Sequence, residues 1–175
     1  MLTQEQEKWV SHLSDTKKVS VVTFDPTCEE KFLIIKNELQ KLLGNSQAIE
    51  HRGASALKIS GQDEIDVYVP VSPEEYGATV EIIKSKYGES NSNYSLKRTH
   101  FITEIEGKHV DIFVVNKNDS DWIDSELFYN YLLTHPDILG NYKKLKENAS
   151  GKSLREYYKG KIEFINLIIR SAKIQ

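Results

Sequence analysis

The chain has 175 residues, of which 39% are hydrophobic and 28% charged, with a formal net charge of −3. That composition reads as a soluble globular protein, long enough for a single domain with a real core spanning residues 1–175. No apolar run approaches the ~20 residues that cross a bilayer, and mild acidity gives no argument for a membrane or nucleic-acid partner. The opening MLTQEQEKWV lacks the basic and apolar regions of a signal peptide. The single cysteine, Cys28, precludes an intramolecular disulfide, so the expected location is a reducing cytoplasm.

In chain order, Thr3 and Gln6 form a capping-box pattern ahead of a first helix. A strand is expected over 18–24, followed by a helix opening at FDPTCEEKF and closing at Gly44. Further strands are expected over 47–51 and 64–70, with a small-residue turn, Gly53-Ala54-Ser55, between them. Ser72-Pro73-Glu74-Glu75 marks a helix start, and that helix is expected to run to Tyr87. The stretch 88–97 reads as an exposed loop. Strands over 98–105 and 109–115 flank Glu106-Gly107-Lys108, a hairpin connection. From Asp119 the pattern is helical, over 120–134, 136–148 and 152–172. The order implies an α+β (α/β-like) fold with a mixed sheet over about 1–117 and a helical part over about 118–175.

Residues two apart on a strand share a face. Glu64, Asp66 and Tyr68 therefore point one way, opposite Ile65, Val67 and Val69. In KHVDIFVVN, His109, Asp111 and Phe113 likewise oppose Val110, Ile112 and Val114. If these strands are neighbours, Glu64, Asp66 and Asp111 converge. Carboxylates so placed repel unless a cation holds them, and Mg²⁺ (or Mn²⁺) suits oxygen ligands shared with substrate phosphates. Such clusters serve metal-assisted phosphoryl or nucleotidyl transfer. The turn upstream would offer Gly53 backbone N–H and the Ser55 hydroxyl to phosphate.

Glycine-serine turn, acid-x-acid strand and later third acid together resemble the nucleotidyltransferase superfamily. A closer resemblance spans nearly the whole chain and is to the GrpB family, small proteins with a nucleotidyltransferase-like fold. VVTFDPTCEEKF, IEHRGASAL, IDVYV and FYNYLLTHPDILGNYKKLK, followed by Tyr157, Lys161 and Phe164, carry it. The chain departs from the family pattern at four places. Ala54 replaces the usual serine, Arg52 and Glu64 replace apolar residues, and His109-Val110-Asp111 replaces a His-x-His pair. The resemblance implies a nucleotidyltransferase-like mixed sheet flanked by helices.

The expected function is a metal-dependent nucleotidyltransferase-like protein that binds an NTP and transfers its nucleotidyl group to an acceptor the sequence does not name. Glu64, Asp66 and Asp111 would be metal ligands, with Asp111 as third ligand or general base. Basic residues on the C-terminal helices can reach the triphosphate in such folds, which implies phosphate roles for Lys146 and Lys161; Arg98 is a further candidate. His51 and His109 are accessory candidates, each weighed against a structural role, while His12 and His100 read as surface or packing residues. His51, His100 and His109 could also join a carboxylate around a transition metal, although no local spacing demands it. Cys28 reads as a packing residue. The alternative is a non-catalytic nucleotide- or small-ligand-binding module that keeps the fold.

Overall fold

The computed structural model describes residues 1–174. Among them, α1 (Gln4–Ser11) opens with the expected box: Thr3 accepts from the Gln6 amide, and the Gln6 side chain accepts from Thr3 in return. α2 (Cys28–Leu43) stops at Gly44, whose positive φ of 104° suits glycine. β1 (Glu50–Arg52), α3 (Gly53–Ala56), β2 (Glu64–Val71) and α4 (Pro73–Tyr87) follow. Then come β3 (Ser92–Tyr94), β4 (Arg98–Ile105), β5 (Lys108–Asn116), α5 (Ser120–Thr134), α6 (Pro136–Glu147) and α7 (Leu154–Ala172). The fold is α+β, as expected, and no helix among the described residues is long and apolar enough to cross a membrane.

The sheet has the order β1-β2-β5-β4-β3 and is mixed. β2 and β5 run parallel at its centre; the other neighbouring pairs are antiparallel. The β4–β5 connection is a two-residue turn, Glu106-Gly107, with φ of 47° and 75°, in a register that pairs Ile105 with Lys108. Positive φ at both central residues is the hairpin geometry that matches strand twist.

Three expectations need correction. The run 18–24 is no strand: it makes only isolated bridges, Lys18 with Ser153 and Val22 with Gly61. Its backbone groups pair with loop segments instead, as in Val19 N–H to the Lys152 carbonyl and Gly61 N–H to the Val22 carbonyl. The expected strand over 47–51 is shorter and later, at Glu50–Arg52, and the turn after it is the one-turn helix α3. The stretch 88–97 contains β3, an edge strand paired with β4.

By internal packing the chain forms two compact units. One comprises Phe24–Ile59 and Asp63–Ile123; the other comprises Met1–Thr23, Ser60–Gln62 and Asp124–Gln175. In the first, the backs of β2 and β5 pack with α2 and α4: Phe32, Ile35, Leu39, Ile65, Ile83 and Ile112 are among its core residues. In the second, Val19, Ala149 and Tyr157 form a small buried cluster with Leu145, Leu154 and Tyr158 around it. There Arg155 pairs with Asp15, and Ser60 Oγ donates to Glu147 Oε1 at 2.7 Å.

Candidate metal centre

The parallel register sets Glu64 beside His109 and Asp66 beside Asp111. Because paired residues share a face, the alternation of both strands then puts all four side chains on the front of the sheet. Glu64, Asp66 and Asp111 converge there: each offers a carboxylate oxygen, and these oxygens lie within 4.8 Å of one another. Glu64 and Asp66 are half-buried and Asp111 is buried.

Other front-face residues shape this cluster. His100 pairs with Phe113 across the hairpin, two residues along β4 from Ile102, the partner of Asp111. Its Nε2 lies 2.6 Å from Asp111 Oδ1, and His109 Nε2 lies 3.2 Å from the same oxygen. Burial would push the Asp111 carboxyl up, but the His100 hydrogen bond and the charges of both imidazoles outweigh it and hold it below the ordinary carboxylate range. On the other side, Arg52 pairs with Asp66. Its Nε donates to Glu50 Oε2 at 2.8 Å, and its guanidinium sits 5.0 Å over the Trp122 ring. Beside the cluster, then, stand the Arg52–Glu50 ion pair on one strand and two imidazoles against Asp111 on the other side.

Gly53 is the close neighbour of Asp66. Its φ is 72°, and a β-carbon there would overlap Asp66 Oδ2. The glycine serves both the left-handed backbone and the room for this carboxylate. Three converging carboxylate oxygens are a donor set that fits a hard divalent cation.

The structure does not gather every expected residue. His51 pairs with Val67, so it faces the back of the sheet, where it stacks on Phe32 at 4.5 Å. Its Nε2 is bonded to Ser55 Oγ at 2.9 Å and its Nδ1 lies 3.6 Å from Glu29; burial pushes the imidazole pKa down. The Ser55 hydroxyl is thus engaged by His51. Arg98 begins β4, four residues from Ile102, which is about 13 Å of strand. Its guanidinium lies 5.5 Å over both Tyr94 and Phe113. Lys146 and Lys161 belong to the helical unit. Lys146 is buried, not solvated: its Nζ donates to the Tyr157 hydroxyl at 3.3 Å and lies 5.1 Å over the Tyr142 ring. Lys161 Nζ lies 5.4 Å over Tyr158. Cys28 is buried, and burial raises its thiol pKa.

The sequence reading favoured the surface or packing for His100, with a place beside a carboxylate as the alternative; the structure sets it against Asp111. The signal was available. A two-residue turn at Glu106-Gly107 fixes the register, which puts His100 opposite Phe113 on the face of Asp111.

The chain matches the GrpB protein family over residues 18–171. It belongs to that family. Among solved structures, the GrpB protein of Enterococcus faecalis is similar, with a TM-score of 0.67 at 21% identity over 87% of this chain and 96% of that one. That likeness extends the shared fold to nearly the whole of the other protein. The Cid1 poly(U) polymerase, solved with MgGTP bound, aligns at 12% identity and a TM-score of 0.44 over 81% of this chain and 44% of that one. No curated protein matches the sequence. Arg52, Glu64 and Asp111 all lie on the front of the sheet, at or beside the carboxylate cluster.

Proposed function

We propose that this GrpB-family protein is a metal-dependent, nucleotidyltransferase-like protein that binds an NTP and transfers its nucleotidyl group to an acceptor. The observation that carries this reading is the convergence of Glu64, Asp66 and Asp111 on two central strands, with the Asp66 carboxylate seated against Gly53, where a β-carbon would overlap it. These three carboxylates would hold Mg²⁺ or Mn²⁺. When bound, such an ion orients a triphosphate and neutralises charge that develops on it.

The chain's own residues divide the remaining work. Asp111, kept ionised by His100 and His109, is ready as a ligand or a proton acceptor at neutral pH. Arg52, held by Glu50 and Trp122, balances charge beside Asp66 and limits the repulsion within the cluster. The backbone N–H groups around Gly53 and Ser55 are the proposed phosphate contacts, with the Arg98 side chain, on the same unit, as a further one. A cytoplasmic setting agrees with a lone, buried thiol.

Thermal scans with Mg²⁺ and each of the four NTPs test the reading. Ligand at a hundredfold excess over Kd stabilises the folded state by about 2.7 kcal/mol, so wild type should melt higher with metal and NTP. Asp66→Asn keeps the side-chain shape, removes one charge, and should lose most of that shift. No shift in wild type with any combination sinks the metal-dependent enzyme. A shift without nucleotidyl transfer over a broad acceptor panel favours a binding module.

A further inference from the structure

The turn that carries Gly53 is too short to hold its own shape. α3 has four residues, and a single helical turn fixes more dihedrals than its hydrogen bonds repay. Its backbone bonds stay within the segment: Leu57 N–H to the Gly53 carbonyl, Lys58 N–H to the Ser55 carbonyl and Ile59 N–H to the Ala54 carbonyl. Among the described residues, no side chain caps its start at Arg52. The bond between Ser55 Oγ and His51 Nε2, at 2.9 Å, ties the turn to β1.

His51 is itself anchored. Its partner in the register is Val67, the next residue along β2 from Asp66. Its ring stacks on Phe32 of α2 at 4.5 Å, its Nδ1 lies 3.6 Å from Glu29, and its side chain is 9% exposed. The imidazole therefore fixes Ser55 relative to α2 and β2 together. Two residues before Ser55 stands Gly53, where a β-carbon would overlap the Asp66 carboxylate. A strut at one end of this short turn sets the place of the glycine at the other.

Resting on the nucleotide site proposed above, we infer that His51 is a positioning residue for that site: through Ser55 it holds the 53–56 turn against Asp66, and the Ser55 hydroxyl is engaged in this bond instead of reaching a phosphate. The two uses of the hydroxyl differ in what His51 does. If Ser55 Oγ contacts phosphate, removing His51 leaves that contact in place. If Ser55 is one end of a strut, removing either end has the same result, and removing both adds nothing.

The test is isothermal titration calorimetry of the full chain with Mg²⁺ and each of the four NTPs, at a temperature where circular dichroism shows every variant folded. Ser55→Ala and His51→Leu should each weaken binding about tenfold, the loss expected for one hydrogen bond. The double variant should lose no more than either single one. His51→Gln, whose amide can reach Ser55, should bind within about twofold of wild type. Mn²⁺ alone should bind all of them alike, because Glu64 and Asp66 stand on β2 and Asp111 on β5. Loss in Ser55→Ala with none in His51→Leu makes the hydroxyl a direct contact and overturns the inference. Additive losses in the double variant, or full affinity in both single ones, overturn it too, and the proposed nucleotide site survives all three results. Should His51→Leu not fold, full affinity in Ser55→Ala still overturns it. If no NTP binds wild type, both readings fall.

Discussion

β2 and β5 carry two faces of opposite character on the same sixteen or so residues of backbone. At the back, Ile65, Val67, Val69, Val110, Ile112 and Val114 are all 0% exposed. At the front, the same strands present Glu64, Asp66 and Tyr68, and His109, Asp111 and Phe113. The back gains stability from burial at roughly 25 cal/mol per Å² of apolar surface. The front gathers like charges that cost stability unless paired. Burial at the back offsets the cost of gathering carboxylates at the front.

The widest separation of the two faces should come from Ile112→Ala. It removes three methyl or methylene carbons from a site with no solvent access and should cost about 2–5 kcal/mol in urea unfolding. The metal-induced shift should survive at temperatures where the variant stays folded. A cost under about 1 kcal/mol would mean that the back relaxes more freely than close packing allows.

Gly53→Ala acts on the front and is expected to come next. It places a side chain at a φ of 72° and drives a methyl group into the Asp66 carboxylate. The backbone conflict alone costs about 1–3 kcal/mol. Titration calorimetry with Mn²⁺ should show affinity falling further than stability does, because the displaced group is the proposed ligand. Equal metal affinity in the variant would detach Gly53 from the centre.

The smallest expected effect concerns a buried charge on the back. Lys108 shares the side of Val110 and Ile112 and is itself buried, where it bridges Asp25 at 2.9 Å and Asp63. The Lys108 hydrogen bond, followed by the bonds from Thr27, holds the Asp25 carboxyl below its ordinary value. A carboxyl lowered by folding stabilises the native state fully above its unfolded pKa, and that contribution fades as pH falls through the folded one. Asp25→Asn should therefore be slightly less stable at pH 7 and lose less on acidification below about pH 4. Parallel acid-unfolding curves for the two proteins would show that the back is electrostatically indifferent.

The sheet centre was legible because strict alternation over 64–70 and 109–115 forces one apolar face, and burying that face fixes which residues converge on the other. Regions stabilised by something other than periodicity were not legible. Ser92-Asn93-Tyr94 has no apolar rhythm and becomes a strand only by pairing with β4 at the edge. The apolar run at 18–24 looked like a strand, yet its Val19 serves a separate small core and its amides bond to loops. The location of His51 on the back depended on β1 being antiparallel to β2, which propensity does not reveal. Lys146 was expected to reach a phosphate, and only packing shows it buried, with its ammonium over Tyr142.

The tight Glu106-Gly107 turn also bears on the order of events during folding. β4 and β5 meet across two residues, so their pairing is local and fast, on the microsecond scale typical of hairpins. β2 can join β5 only by closing a loop from Glu64 to His109, a parallel pairing of high contact order. The hairpin therefore delivers Asp111 with His100 and His109 already beside it, while Asp66 and Glu64 arrive with the last closure. Truncating Phe101 in the hairpin should slow refolding, whereas truncating Val69 in β2 should chiefly speed unfolding; φ-values in the reverse order would refute this sequence of events. A cation that needs all three carboxylates meets its site only after the topology is complete, so it slows the escape from the native state without hastening arrival.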